Sequence, residues 1–293
     1  MLSGSIIQRL QADADGVTEA ITTAVTDATG GADAVTSSAH PFLEFLNDGL
    51  WGEITKSTVS GNYETWQYIV YVLMWLAIII IPYILGSLNF ALIASKLLYK
   101  DDIRNYGSGN AGLTNMYRVY GKKGAIFTLL GDSLKTVVAV ALGYALLGNL
   151  GSFGAALFCV LGHIFPVFYK FQGGKGVLAA GISILMLDPP IFLILFTVFI
   201  IIVAGTKYVS LGSIMAMMMF PLLLSRLRGP GLPVIFAFLI SACVIFMHRS
   251  NIVRLWNKKE SKFSFKAKIK SADAANGPER DKGNNDDDDG NDR

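Results

Sequence analysis

From Gln67 to Ser95 the chain carries no Asp, Glu, Lys or Arg. A bilayer needs roughly 20 consecutive apolar residues for one helical crossing, and an uncharged run of this length reads as such a helix. Shorter, mainly apolar runs follow from Gly124 to Leu147, Gly151 to Phe168, Val177 to Leu187, from the break at Asp188-Pro189-Pro190 to about Gly205, Tyr208 to Ser225 and Leu232 to Met247. Together they predict an all-α, polytopic integral membrane protein with about seven transmembrane helices. Charged residues make up only 16% of the chain, against roughly 25% in soluble domains. The first run, about Trp66 to Tyr99, exceeds one crossing, and Pro82 with Gly86 predicts a kink in it. Val177 to Leu187 is short for a simple crossing, so it is expected to be tilted or completed by residues buried in protein.

Loop charge sets the expected orientation. One set of loops holds Lys100, Arg104, Arg118, Lys122 and Lys123, then Lys170 and Lys175, then Lys207, then Arg249, Arg254, Lys258 and Lys259. The alternate loops hold Asn149, Asp188 and the dissenting pair Arg226 and Arg228. The N-terminus is therefore expected outside and the C-terminus in the cytoplasm. Residues 1–65 form an acidic extension expected to be weakly ordered, and no cleaved leader is evident in it. Residues 66–262 form the membrane domain, and residues 263–293 a charged tail expected to be disordered. Cys159 and Cys243 lie in apolar runs, as small buried residues do, and no spacing suits a bound metal.

The unusual polar sequence falls in the basic loops. The first block runs from Tyr106 to Arg118 and contains Gly107, Ser108, Gly109, Asn110, Gly112, Thr114 and Asn115. Its glycines match a dinucleotide fingerprint in form only, because that motif follows a strand and this block follows a membrane helix. Glycines let amides close around an anion, and an arginine grips two phosphate oxygens at once. The second block, Gly162-His163 through Gly173-Gly174-Lys175-Gly176, resembles a P-loop only loosely. Gly176 stands where that loop needs Ser or Thr. Glycines and Lys175 at the entry to a helix still suit an anion. His163, at a membrane boundary, reads more readily as a packing or hydrogen-bonding residue than as a catalyst. The third block is His248-Arg249-Ser250-Asn251, followed by Arg254 and Trp256. A basic stop with a tryptophan anchor explains most of it but not Asn251. A fourth stretch from Lys207 carries Ser210 and Ser213, either of which could simply cap a helix. Asp132 and Lys135 lie three apart on one helical face and are expected to pair beneath the site.

The four segments, GSGNAGLTNMYRVYGKKG, GHIFPVFYKFQGGKGV, YVSLGSI and HRSNIVRL, resemble in order and spacing the bacterial acyl-phosphate-dependent glycerol-3-phosphate acyltransferases, the PlsY family. The resemblance covers about residues 80–262. It implies a seven-helix enzyme of the cell (inner) membrane, its site facing the cytoplasm, that acylates the 1-hydroxyl of glycerol 3-phosphate from acyl phosphate. The products are lysophosphatidic acid and phosphate, made for membrane phospholipid synthesis without a cofactor, metal or nucleic acid. An enzyme that generates acyl phosphate is a compatible partner. Carried onto this sequence, the catalytic residues are Ser108, Arg118, Lys175, His248 and Asn251. Gly109, Asn110, Asn115, His163, Gly173, Gly174, Gly176, Ser213 and Arg254 are expected substrate contacts. Asp132, Lys135 and Glu260 are expected to be structural. Departures at Gln172, Leu178, Ala179, Lys207 and Thr136 bear on substrate preference and phosphate geometry. The implied mechanism is direct attack of the hydroxyl on the acyl carbon, with His248, His163 or the leaving phosphate taking the proton.

Two other classes use similar loops. An organic-phosphate transporter needs polar residues along a path through the membrane, which the runs scarcely offer beyond Asp132 and Lys135. A CDP-alcohol phosphatidyltransferase needs an aspartate-rich metal motif, and the runs contain none.

Overall fold

The computed structural model describes residues 65–263 together with Gly49 and Leu50. The rest of the acidic extension and the charged tail lie outside the described residues; among the described residues regular structure is entirely helical. Helix α1, Thr65–Ser87, carries Pro82 within it. The chain leaves helical geometry after Ser87, one residue past Gly86, and resumes as α2, Phe90–Tyr99. Asn89 decides where α2 starts, because its side chain accepts from Leu92 N at 3.1 Å and caps the new helix. A 3-10 turn at Ile103–Asn105 and the first glycine block then lead into α3, Leu113–Ile164.

Helix α3 is continuous in name only. Gly121 (φ 72°) interrupts it near its start, and Leu147 with Gly148 interrupts it at the expected turn. Gly148 adopts φ 56° and ψ −143°, a geometry that a side chain disfavours. The two arms fold back on one another, so that a Cβ on Gly143 would overlap the Gly151 carbonyl. The sequence expectation of separate runs ending at Leu147 and starting at Gly151 agrees with this hairpin. The Gly121 break falls just before Lys122 and Lys123, three residues ahead of the expected start of the membrane run at Gly124.

Helix α4, Val177–Leu187, buries Ala179, Ala180, Ser183 and Ile184. Helix α5, Pro189–Thr206, begins at a proline, and Asp188 caps it by accepting from Ile191 N at 3.1 Å. Asp188 also receives Arg228 Nε at 2.6 Å from the end of α6, Val209–Arg228. That pairing offsets one of the two dissenting loop arginines locally. Helix α7, Leu232–Met247, continues at His248 into α8, Arg249–Trp256, through a 56° bend.

By length and composition, four described helical stretches are long and apolar enough to cross a membrane, or five if α7 and α8 form one bent span. One of these, Leu113–Tyr169, contains the hairpin. The main core joins α3, α4, α5, α6 and α7 around Val160, Ile184, Ile191, Phe220 and Ile240. Helix α5 packs on α4 and α6 rather than on α3. Leu130, Leu134, Ile201 and Leu222 remain exposed on the outer faces, as side chains in contact with lipid would be.

Candidate active site

A cavity of about 480 Å³ opens where the first glycine block, the entry to α4, the start of α6 and helix α8 converge. Each polar block is held by its own neighbours. Asn115 Oδ1 accepts from Ser108 N at 3.0 Å, while its Nδ2 donates to the carbonyls of Tyr106 and Ile103. Both N–H donors of that amide are taken by the loop. Asn115 also borders the cavity, and through these bonds it clamps the turn beneath Ser108.

Gly173 and Gly174 also differ from expectation. Their amides are not free for an anion, because Gly173 N donates to Ile164 O and Gly174 N to His163 O, each at 3.1 Å. Neither they nor Gly109 line the cavity. Gly174 is needed for close approach, since a Cβ there would overlap His163 Nε2 and lie 2.6 Å from Ala111 O. Lys175 and Gly176 do line the cavity, followed by Val177 and Leu178 in the first turn of α4. A first-turn N–H has no carbonyl within its own helix to pair with, so this end can receive an anion.

Lys175 Nζ donates to Asn251 Oδ1 at 2.5 Å. Asn251 Nδ2 donates in turn to Glu260 Oε1 at 2.6 Å, and Ser210 Oγ donates to the same oxygen at 2.8 Å. The other oxygen, Oε2, receives Arg254 Nε at 2.7 Å. Glu260 thus binds the ends of α6 and α8 into one arrangement, and these bonds hold its carboxyl below the usual range against the opposing effect of burial. The chain reaches this position by folding back: Phe263 N donates to Lys207 O at 2.7 Å, and Arg118 Nη2 donates to Ser261 Oγ at 3.4 Å. Burial and then the charge of Arg254 push the Lys175 ammonium down to about 8, with Glu260 opposing and Arg118 reinforcing.

His248 is buried and its Nδ1 lies 2.8 Å from Val244 O. A carbonyl only accepts, so Nδ1 carries the proton and Nε2 keeps a lone pair. Asn110, Ser213, Arg254 and His163 also line the cavity, although Ser213 Oγ donates to Val209 O at 2.9 Å. His163 is buried, with Nδ1 3.1 Å from Lys135 Nζ. Ser210, Ser261 and Phe263 were not selected from the sequence as site residues, yet all line the cavity. A hydroxyl at a helix start marks Ser210 only as a cap, so nothing in its spacing points to Glu260. Of the departures from the family pattern, Gln172 and Lys207 are exposed and outside the cavity lining, and only Leu178 borders it.

Away from these groups the lining turns apolar, with Leu178, Gly181 and Ile182 of α4, Phe192, Phe196 and Phe199 of α5, and Ala216 and Met217 of α6. Leu129 of α3 and Phe196 of α5 border the cleft and are 38% and 47% exposed. The side between α3 and α5 is therefore open toward the surrounding apolar phase.

The pattern of the glycerol-3-phosphate acyltransferase family matches residues 76–258, well over half of the chain. The chain belongs to that family. A glycerol-3-phosphate acyltransferase of Thermoanaerobacter pseudethanolicus is 44% identical over 191 residues, covering 65% of this chain and 96% of the relative. One from Finegoldia magna is 43% identical over 184 residues, covering 62% and 93%. Crystal structures of PlsY (YgiH), an integral membrane glycerol 3-phosphate acyltransferase, superpose in the glycerol 3-phosphate form with TM-score 0.62 at 36% identity. The lysophosphatidic acid form gives 0.60 at 35%, and each pairing covers 65% of this chain and 96% of that one. The acyltransferase is thus a polytopic membrane enzyme of lipid biosynthesis, all-α among the described residues, which contain the whole family region.

Proposed function

We propose that the acyltransferase moves a fatty acyl group from acyl phosphate to the 1-hydroxyl of glycerol 3-phosphate, releasing lysophosphatidic acid and phosphate. The observation that carries this reading is one cavity with two characters. Arg118, Lys175 and Arg254 border one part, and the apolar walls of α4, α5 and α6 form the other. A donor with a phosphate head and a long chain matches both, and the cations leave room for a second phosphate. The solved relatives described with glycerol 3-phosphate and with lysophosphatidic acid support the acceptor and the product.

In this scheme the donor's acyl chain lies in the apolar cleft, and Lys175 with the first turn of α4 holds its phosphate. Arg118, with Ser108 and Asn110 nearby, orients glycerol 3-phosphate. Asn251, fixed by Glu260, keeps Lys175 in place. His248 Nε2 accepts a hydrogen bond from the attacking hydroxyl. A new C–O bond forms as the acyl C–O(P) bond breaks, and the leaving phosphate takes the hydroxyl proton. Phosphate leaves readily, so the barrier is chiefly one of alignment, and the cations stabilise the developing oxyanion. An acyl phosphate is a reactive mixed anhydride, which calls for a nearby enzyme to generate it.

In this reading the chain crosses the cell (inner) membrane seven times, with the N-terminus outside and the C-terminus in the cytoplasm. The basic residues of the site-bearing loops support this orientation. The decisive experiment supplies the purified protein with glycerol 3-phosphate and palmitoyl phosphate, palmitoyl-CoA or palmitoyl-acyl carrier protein, with EDTA present. Lysophosphatidic acid is expected from palmitoyl phosphate alone, and Lys175→Ala and Asn251→Ala are expected to abolish most of it. Turnover of a thioester instead, or full activity in both variants, refutes the donor and site assignments respectively.

A further inference from the structure

Acyl transfer as proposed makes no chemical use of the buried cluster Asp132, Lys135 and His163, although Asp132 and His163 line the cavity. The Lys135 ammonium lies 2.7 Å from Asp132 Oδ1 and 3.1 Å from His163 Nδ1. It also donates to the carbonyls of Gly86 and Leu88, at 2.8 Å each. A buried charge needs a counter-charge, and Asp132 supplies it. The remaining bonds lead to the two halves of the site.

Gly86 and Leu88 sit where α1 stops, and their carbonyls are among those a helix end leaves unpaired. The next residue, Asn89, donates through Nδ2 to Ala111 O at 3.2 Å. Ala111 belongs to the loop that carries Ser108 and Asn110. On the other side, His163 Nδ1 lies 3.1 Å from the same ammonium and 3.6 Å from Asp132 Oδ1, which turns Nε2 toward Gly174. The His163 carbonyl accepts the Gly174 amide, and the space a Gly174 side chain would need is bounded by His163 Nε2 and by Ala111 O. The two glycine loops therefore meet at Gly174, one residue before Lys175, and Lys135 is bonded to the supports of both.

We propose that Lys135 is a positioning residue for acyl transfer: its ammonium fixes the α1–α2 break on one side and the His163 ring on the other, and so sets the separation of the Ser108 loop from the Lys175 loop. This rests on the reading that two phosphates are held on those loops. When each loop anchors one reactant, their separation fixes the distance from hydroxyl to acyl carbon. A misplacement of about 1 Å can cost on the order of 100-fold in rate.

Lys135→Met alone strands the Asp132 carboxylate and is expected to lower stability. The informative variant is the pair Asp132→Asn with Lys135→Met, which removes both charges together. With palmitoyl phosphate as donor, the pair is expected to melt close to the parent while kcat falls about 100-fold and KM for each substrate stays within about threefold. Asn89→Ser cuts the same link elsewhere, keeping an acceptor for Leu92 N and losing the donor to Ala111. It is expected to lower kcat about tenfold at unchanged Tm. Parental kcat in either folded variant overturns the positioning role. A loss carried by KM alone also overturns it, since that marks lost binding rather than lost alignment. An inactive parent overturns the donor assignment and this inference with it, whereas active variants of an active parent overturn only the inference.

Discussion

Lys175 is a cation whose charge state the site itself controls. Burial lowers its ammonium to about 8, so the charged form prevails below that pH and is lost as pH rises through it. If Lys175 must be charged to hold phosphate, kcat/KM falls on the alkaline side with an apparent pKa near 8, because this ratio reports the free enzyme. Lys175→Arg keeps the charge at every pH. A pH–rate series on that variant is expected to show a lower kcat with the alkaline limb gone; a limb left in place would assign it to another group. Lys175→Ala is expected to lose on the order of 100- to 1000-fold in kcat. Glu260 acts on the same titration from a distance, since its negative charge raises the Lys175 value. Glu260→Gln is therefore expected to move the alkaline limb to lower pH. Freeing Arg254 in the same variant is expected to cost about tenfold in kcat/KM. A limb that stays fixed in Glu260→Gln would show that the two groups do not communicate.

At the level of elements, the apolar cleft offers a test that does not disturb packing. A Cβ built on Gly181 of α4 meets nothing within 4 Å, and Gly181 faces the cleft. Gly181→Leu is expected to keep the parental Tm and to reduce kcat/KM for palmitoyl phosphate at least about tenfold relative to octanoyl phosphate, through displaced methylenes. Equal effects on both donors would place the chain elsewhere. Gly174→Ala is the opposite case, because its new methyl must push apart His163 and Ala111 at the meeting of two loops. How legible these elements were in the sequence follows from where their determinants lie. The hairpin at Gly148 was readable, since Gly148-Asn149 separates two apolar runs and the turn needs a glycine. Pro82 and Gly86 marked an irregularity near the end of α1, but not the break after Ser87 or the start of α2 at Phe90. The capping Asn89 and the lysine that holds the broken end lie far apart along the chain. The use of the Gly173 and Gly174 amides by backbone carbonyls could not be read, as a carbonyl carries no side-chain signature. Lys175, Asn251 and Arg118 were legible as charges and amides that membrane anchoring alone did not require. The clamp from Ser210 to Glu260, fifty residues on, follows only from folding.

For the molecule as a whole, the family region spans residues 76–258 and the last described residue, Phe263, still bonds back to Lys207. A protein of residues 65–263 is therefore expected to keep parental kcat with palmitoyl phosphate in detergent. Loss of activity with retained folding would assign a catalytic part to the flanking segments. The opening between α3 and α5, bordered by Leu129 and Phe196, has a kinetic consequence. A donor that enters sideways never has to dissolve in water, so the concentration that matters is its mole fraction in the apolar phase. Adding inert detergent at constant total palmitoyl phosphate is then expected to slow the enzyme by surface dilution, while the KM for glycerol 3-phosphate, which arrives through water, stays where it was. The enzyme would meet its two substrates in different dimensions, one by diffusion within a sheet and one by diffusion in bulk solution.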